Sequence, residues 1–231
     1  MRIGFDMDGV LADFSAAYRA VEDGLFGKTE THTRAGNPEE ERSDAPAAEE
    51  TEDQQRAEQA GRLRELRRRK DAVWQAIRNT PDFWLSLGPT DPDAVRRIHH
   101  LMLQRRWEVF FITQRPATLG ETVQRQTQRW LVSQGFDMPS VLVVPASRGA
   151  AAAALSLDYH VDDSPQNCID IKSDSKAKPI LIVGDDQDLV VSARRLGIDT
   201  AVSIGQALDT LDNARPKGGV LERLAHIAGL R

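Results

Sequence analysis

The sequence predicts an α/β fold, a doubly wound and mainly parallel sheet, and three observations support this. The chain opens on a short apolar run, residues 2–5, that ends in two aspartates and a glycine. Apolar runs of strand length then alternate with amphipathic helical patterns from residue 91 to residue 230. The run at residues 109–112 is apolar without interruption, which is typical of a strand buried on both faces.

Composition narrows the class of protein. The 231 residues suffice for one sizeable domain, with or without a smaller insertion, and 40% hydrophobic with 28% charged residues predicts a globular chain. The net charge of -5 argues against a general binder of nucleic acid or membrane surfaces. No apolar run is long enough to span a bilayer, and no signal peptide is expected before the first strand. The single cysteine, Cys168, allows no internal disulfide and fits a cytoplasmic protein.

The first strand ends in Asp6 and Asp8, followed by Gly9, which permits a sharp turn. Residues two apart on a strand point the same way, so both carboxylates can project from the edge where open α/β sheets bind ligands. Two such charges persist near neutral pH if a hard cation such as Mg2+ lies between them, or if one keeps its proton. One carboxylate could then attack phosphorus while the other transfers a proton. A plain strand end with a turn is the alternative.

Residues 5–11, Phe-Asp-Met-Asp-Gly-Val-Leu, resemble the first motif of the haloacid dehalogenase (HAD) superfamily, most of whose members are Mg2+-dependent phosphatases. The resemblance implies that Asp6 is the nucleophile. It implies that Asp8 acts as acid and then base, and that its backbone carbonyl binds the metal. It also implies a Rossmann-like core with a helical cap inserted after the first strand.

Residues 14–87 are the expected cap, and residues 1–13 with 88–231 the expected core. An amphipathic helix is predicted at residues 14–27, with Leu25 on its inner face, and a very basic helix at residues 62–79. Between them, residues 28–61 are acidic and poor in large apolar residues. We expect a flexible segment that gains helix toward residue 49, acting either as a lid or as a solvated insertion.

Asp91 or Asp93 is expected to begin a helix that runs to residue 106. The strand at 109–112 then ends in Thr113, whose hydroxyl could donate to a phosphoryl oxygen. Thr113 fits the second HAD motif, and the run Phe-Phe-Ile-Thr-Gln-Arg-Pro is similar to the form found in the 5'(3')-deoxyribonucleotidase branch. Thr113, Gln114 and Arg115 are therefore candidate substrate-binding residues. A helix is predicted over residues 117–134, with Leu119 inward.

A strand at 141–144 precedes an alanine-rich helix at 150–155. The third HAD motif is a lysine near this place, and the residue here is Arg148. Arginine supplies positive charge and a bidentate fork, but it differs from lysine in shape and hydration. Arg148 is thus a candidate for both catalysis and substrate binding. The same departure motivates the alternative of a catalytically weak or inactive binding protein.

The strand at 157–161 is followed by Asp162 and Asp163, which resemble the fourth HAD motif and complete a predicted Mg2+ site with Asp6 and Asp8. His160 is expected to be buried. A second apolar run, 180–183, also ends in carboxylates, Asp185 and Asp186. It resembles a fourth motif too, and the opening of a two-component receiver domain, for which too few residues follow. We prefer Asp162 and Asp163.

After residue 183 we expect an edge strand at 200–203 and closing helices at 206–211 and 219–230.

The function predicted overall is Mg2+-dependent hydrolysis of a small phosphomonoester, such as a nucleotide, through an aspartyl-phosphate. The expected partner is a small phosphorylated metabolite, with no stable nucleic acid and no membrane. Transfer of the phosphoryl group to another acceptor is a further alternative, and the oligomeric state is left open.

Overall fold

The computed structural model describes residues 1–27, 52–145 and 147–214, and the side chains of residues 52–59 lie outside this description. Within these ranges strands and helices alternate, which confirms the predicted α/β fold. The strands are β1 (Arg2–Asp6), β2 (Glu108–Thr113), β3 (Val141–Val143), β4 (Tyr159–Asp162), β5 (Lys178–Ile182) and β6 (Asp199–Ala201). The helices are α1 (Phe14–Phe26), α2 (Glu52–Asn79), α3 (Ala94–Arg105), α4 (Val123–Ser133), α5 (Arg148–Ala154), α6 (Pro165–Asp174), α7 (Gln187–Arg195) and α8 (Ile204–Asn213), with a 3-10 helix at Phe83–Leu85.

The six strands pair in parallel, in the spatial order β3-β2-β1-β4-β5-β6. From β1 the chain moves outward through β2 to β3, and then crosses back to β4 on the other side of β1. The carboxyl ends of β1 and β4 therefore flank the topological switch point, where open α/β sheets bind their ligands. Asp6 is the last residue of β1, and Asp162 is the last residue of β4.

Helices cover both faces of the sheet, and the central strands alternate between the two. In β2, Phe111 packs into the cluster formed with α3, α4 and α8, whereas Ile112 packs with α5 and α6. Ile180 and Leu181 of β5 divide in the same way, Leu181 packing with α6 and α7. Because side chains alternate along a strand and both faces are buried, β2 is apolar at every position from residue 109 to residue 112.

The chain between β1 and α3 carries α1, α2 and the 3-10 helix. Residues 28–51, most of the predicted acidic segment, lie outside the described residues. The described part of helix α2 begins at Glu52. Its first turns consist mainly of Glu, Gln, Arg and Ala, which are all strong helix formers. Val73 and Ile77 anchor α2 in the core. Leu25 of α1 is half exposed, not inward as predicted. The division into core and cap stays a prediction.

Helix α4 is shorter than the predicted helix at 117–134. It begins at Val123, because the side chain of Thr122 caps it by accepting from the backbone N–H of Arg125. The preceding residues form a loop against the 3-10 helix, where the backbone N–H of Asp82 donates to the Leu119 carbonyl. Leu119 is exposed, and its predicted place in the core was wrong.

The C-terminal elements follow the prediction with small shifts. The strands expected at 157–161 and 200–203 are β4 and β6, and the helix expected at 206–211 is α8. The helix expected at 219–230 falls outside the described residues. None of the helices in the described ranges combines the length and the apolar character needed to cross a membrane.

Candidate active site

Three neighbouring strands bring polar side chains to one edge of the sheet. Asp6, Thr113 and Asp162 are the last residues of β1, β2 and β4, and these strands are adjacent in the order β2-β1-β4. All three side chains are buried, at 5%, 1% and 0% exposure. Distant parts of the sequence thus meet at the switch point, as the strand-end pattern predicted.

Three carboxylates lie close enough to share one cation. Asp6, Asp162 and Asp163 each offer an oxygen, and these oxygens lie within 4.8 Å of one another. Burial and the charge of Asp162 raise the pKa of Asp6 well above its usual value, against the lowering effect of Arg148. Burial, followed by the charge of Asp162, raises the pKa of Asp163 to about 6. Such mutual repulsion among oxygen donors is what a hard divalent cation such as Mg2+ relieves, so the donor set fits that ion.

Asp8 is turned toward a different partner. Its backbone N–H donates to Asp6 Oδ2 over 3.0 Å, while its own carboxylate accepts from Arg115. Arg115 Nη2 lies 2.7 Å from Asp8 Oδ1, and Arg115 Nε lies 3.0 Å from both carboxylate oxygens. The Asp8 side chain is therefore not among the three clustered carboxylates, although Asp8 lines the same cavity. The predicted roles of Asp8 as acid and base and as backbone metal ligand stay predictions.

Gly9 makes room for this arrangement. Its φ of 79° lies in the region that side chains disfavour, and a Cβ there would overlap the carboxylate of Asp163. The turn after β1 closes through backbone bonds from Leu11 and Ala12 to the carbonyl of Met7. This tight turn holds the Asp8 backbone against the carboxylate cluster.

Arg148 reaches the cluster from the start of α5. It is 4% exposed, and Nη2 donates to Asp6 Oδ1 over 2.7 Å, while Nε lies 3.9 Å from Asp162 Oδ2. Nε and Nη1 have no hydrogen-bond partner among the described residues. Gly149 lets α5 approach this closely, because a Cβ there would meet the backbone of Asp170 in α6. Arg148 thus presents two unused donors beside the buried carboxylate of Asp6.

The residues at the carboxyl end of β2 differ in how many of their hydrogen-bonding atoms already have partners. Thr113 Oγ1 is buried and has no hydrogen-bond partner in the described part of the chain. Gln114 is exposed at the cavity rim, and its amide donates to the Pro145 carbonyl over 3.0 Å. Arg115 is buried and paired with Asp8. Their predicted roles in substrate binding stay predictions, and Thr113 has the most unused hydrogen-bonding capacity.

Asp162 is held by residues that the sequence reasoning did not assign to the site. Oδ1 accepts from the backbone N–H of Ser164 at 2.9 Å and from Asn167 Nδ2 at 3.0 Å. Oδ2 lies 3.1 Å from His160 Nε2. His160 is buried as expected, and Gly4 leaves space for its ring. The run Ser164-Pro165 signals a helix start, so Asn167 could have been placed in the first turn facing the strand end.

A cavity of about 290 Å3 is lined by polar and aromatic residues, and its polar lining, here called the polar floor, includes Asp6, Asp8, Thr113, Arg148 and Asp163; its aromatic lining is here called the aromatic wall. The wall consists of Phe14 from α1, Trp74 from α2 and Trp84 from the 3-10 helix. The rings of Phe14 and Trp74 stack at 5.5 Å, and Phe14 lies 5.7 Å from Trp84. The cavity therefore offers both charged, hydrogen-bonding groups and flat aromatic surface to a ligand.

The second candidate pair, Asp185 and Asp186, lies elsewhere. Both are exposed, and neither lines this cavity nor joins the carboxylate cluster of the described residues. The side chain of Asp186 accepts from the backbone N–H of Leu189, so it caps α7. A cap accounts for this aspartate without any ligand.

Comparisons with known proteins give fold-level similarity alone. No family model matches the chain, and no curated protein matches it. Among solved structures it is similar to a candidate beta-phosphoglucomutase from Thermotoga maritima, at 18% identity and a TM-score of 0.48, over 93% of this chain and 99% of that one. It is also similar to a HAD hydrolase of family IA, variant 3, from Entamoeba histolytica HM-1:IMSS, at 12% identity and a TM-score of 0.45, over 98% and 99% of the two chains. Because identities and TM-scores are low, we argue function from this chain's own residues.

Proposed function

We propose that this chain is a Mg2+-dependent phosphomonoesterase of the HAD superfamily, in its 5'-nucleotidase-like branch, that works through an aspartyl-phosphate. One observation carries the proposal: Thr113 and Arg148, which carry buried donors without hydrogen-bond partners among the described residues, line a single cavity together with Asp6. A phosphoryl group placed there would find a nucleophile and donors for its oxygens together. Phosphoryl transfer depends mainly on such positioning and charge stabilisation.

The chain's own residues divide the reaction into two steps. A carboxylate oxygen of Asp6 attacks phosphorus and the phosphorus–oxygen bond to the leaving group breaks. Asp8, which enters the reaction as the protonated acid, gives that oxygen its proton and is left as the carboxylate. Water then attacks the phosphorus of the aspartyl-phosphate and returns a proton to Asp8, which frees Asp6 and releases phosphate. Thr113 and Arg148 hold phosphoryl oxygens through both steps.

Asp6, Asp162 and Asp163, with the Asp8 backbone carbonyl, are the residues that would hold Mg2+. When bound, the ion neutralises charge on the phosphoryl group and on the carboxylates. His160 and Asn167 keep the Asp162 carboxylate in one orientation, a role that outer partners of metal ligands commonly have.

The aromatic wall favours a substrate with a flat group, such as a nucleotide, among small phosphorylated metabolites. Phe14, Trp74 and Trp84 face the same cavity as the polar floor, so a base could stack while its phosphate lies over Asp6. A nucleobase that stacks on an aromatic ring contributes about 1–3 kcal/mol to binding.

The proposed location is the cytoplasm, and the single cysteine is compatible with it.

A second candidate is a protein that binds phosphorylated ligands without hydrolysing them. Both catalytic carboxylates are already paired with arginine: Asp6 with Arg148 and Asp8 with Arg115. Such pairing neutralises the carboxylates and supports a stable binding site as readily as a reactive one. Binding of Mg2+ or phosphate without product formation would favour this candidate.

The test is hydrolysis of an aryl phosphate and a panel of nucleotides and sugar phosphates, with Mg2+ and with EDTA. We expect turnover only with Mg2+, and a loss of at least about 10³-fold on Asp6→Asn, as for other nucleophile replacements. Asp185→Asn removes a carboxylate from the end of a neighbouring strand and is the matched control, with activity retained. Equal rates for wild type and Asp6→Asn would remove Asp6 as nucleophile, and an inactive wild type would leave the binding protein.

A further inference from the structure

Arg115 has an unusually complete set of partners for a residue beside a cavity. Its side chain is 0% exposed. Nε and Nη2 donate to the Asp8 carboxylate, and Nη1 donates to Thr127 Oγ1 over 3.1 Å. The guanidinium carbon lies 4.8 Å from the centre of the Trp84 ring. Each of its nitrogens is therefore used, and one face of its plane is covered.

We propose that Arg115 is a positioning residue, which acts by fixing the Asp8 carboxylate and does not bind the substrate itself. This inference rests on the proposed function, because it assigns Arg115 to the proton transfer that Asp8 performs. It differs from the expectation that Arg115 binds a phosphoryl oxygen.

The geometry of the contact favours this role over substrate binding. Two N–H groups of one guanidinium that donate to the same carboxylate restrict the orientation of that carboxylate as well as its position. Asp8 Oδ1 accepts from both Nε and Nη2, whereas Oδ2 has only the Nε contact that it shares with Oδ1. Oδ2 thus keeps the capacity to reach a leaving oxygen or a water in the cavity.

Arg115 is itself held in place from two further sides. Thr127 lies in α4 and is fully buried, so its hydroxyl fixes Nη1 from a rigid helix. Trp84 covers the guanidinium, and its indole N–H donates to the Pro116 carbonyl over 3.0 Å. The arginine is therefore rigid before any substrate arrives, which a positioning residue requires.

The partners of the two arginines Arg115 and Arg148 support the same assignment. Each arginine is paired with one carboxylate at 2.7 Å, Arg115 with Asp8 and Arg148 with Asp6, but Arg148 also keeps two donors without partners among the described residues. An anionic phosphoryl group meets unused donors at Arg148 and none at Arg115. Of these two arginines, Arg148 is suited to hold the substrate and Arg115 to hold Asp8.

The test compares Arg115→Lys with Arg129→Lys, a matched substitution in an exposed pair with Glu121 on α4. Lysine keeps the charge but cannot make the parallel pair of bonds while reaching Thr127. We expect Arg115→Lys to lower kcat by about 10- to 100-fold with little change in KM, and Arg129→Lys to change neither. Thr127→Val should give a smaller loss of the same kind. Thermal unfolding of each variant shows that it folds.

A double-mutant cycle with Asp8→Asn separates action through Asp8 from direct contact with substrate. If Arg115 acts through Asp8, Arg115→Lys causes no further loss in the Asp8→Asn background. In single-turnover measurements of leaving-group release, which follow the first step alone, the loss from Arg115→Lys should also be larger for an alkyl phosphate than for a nitrophenyl phosphate, because a good leaving group needs little help from an acid. A purely structural defect would lower both rates equally.

The outcomes distinguish this inference from the function on which it rests. Multiplicative losses in the cycle, a raised KM with unchanged kcat, or equal single-turnover losses for both leaving groups overturn the positioning role alone. An inactive wild type, or an active Asp6→Asn, overturns the proposed function and the inference with it. Loss of kcat that depends on Asp8 and on the leaving group supports both.

Discussion

The carboxyl ends of β1 and β5 have similar local sequences but lie in different surroundings. Both are apolar strands followed closely by a glycine and two aspartates, at residues 6–9 and 184–186. The end of β1 lies beside β4 at the switch point and meets Thr113, Arg148 and Asp162. The end of β5 lies one strand further out, and Asp186 turns to cap α7. Position in the sheet decides whether a strand-end aspartate has charged neighbours.

The two glycines show the same contrast. A Cβ at Gly9 would overlap the Asp163 carboxylate, whereas a Cβ at Gly184 would find no atom within 4 Å. Both have positive φ, 79° and 55°, so both help the chain to turn. One turn is shaped around a crowded site, and the other faces open space.

The largest expected contrast is between Asp162→Asn and Asp186→Ala. Asp162→Asn removes a buried charge from the cluster and should lower kcat/KM by more than about 100-fold, since losing an outer partner already costs 10–100-fold. Asp186→Ala should lower the free energy of unfolding by about 1 kcal/mol through the lost cap. Activity assays and urea denaturation of both variants measure the two effects.

Asn at 162 can keep its carbonyl toward Ser164 and its amide toward His160, so Asp162→Asn is expected to fold. An inactive Asp186→Ala together with an active Asp162→Asn would contradict this assignment of the site. The carboxylates after β5 would then belong to the site, and those after β4 would not.

The next contrast is between Gly9→Ala and Gly184→Ala. Gly184→Ala should cost about 1 kcal/mol from the strained φ alone, with activity retained. Gly9→Ala adds a clash with Asp163, so it should cost more stability and also most of the proposed phosphatase activity. Thermal unfolding and initial rates check both. Equal behaviour of the two variants would mean that Asp163 does not need its observed place.

The smallest expected effect is a pH dependence that Asp163 imposes on the metal-free protein. Burial and then Asp162 raise its pKa to about 6, and Asp6 is raised too, so the folded protein binds these protons more tightly than the unfolded chain. The resulting stability is fully present below about pH 4 and is lost as pH rises through about 6. Asp163→Asn should remove part of that decline.

We expect Asp163→Asn in EDTA to raise the stability near pH 7 by about 1 kcal/mol, after allowance for solvent screening of this exposed carboxylate. For a chain of this size that is about 2–4 °C in Tm. Asp185→Asn is the control for loss of one exposed charge from a strand end. With Mg2+ the order should reverse, because the ion stabilises wild type more. A Tm of Asp163→Asn that declines as steeply as wild type contradicts the predicted repulsion.

Much of the fold and part of the site follow from local pattern. Continuous apolar runs are typical of strands buried on both faces, and they predicted β1, β2 and β5. Asp6 and Thr113 were found because each directly ends such a run. Asp162 was found by its resemblance to a known motif, because His160 interrupts the apolar residues of β4. Leu119 and Leu25 were misplaced, because a helical pattern alone does not show where a loop or a neighbouring helix ends the buried face.

The partners of these residues did not follow from local pattern. Asp8 pairs with Arg115 across 107 positions of sequence, and Arg148 with Asp6 across 142. Trp84 and Thr127, which hold Arg115, come from two further elements. A residue's own neighbours in sequence carry no information on which distant side chain will face it.

The sequence by itself determined the strands, the alternation with helices and the acidic strand ends, because these depend on periodicity and burial within a few residues. The tertiary structure alone decided the strand order, and with it that Asp162 joins Asp6 while Asp186 caps a helix. It also decided that Arg115 belongs to Asp8. The physical reason is that strand order is set by burying both faces of the whole sheet at once, and contacts at the switch point exist only after that order is formed.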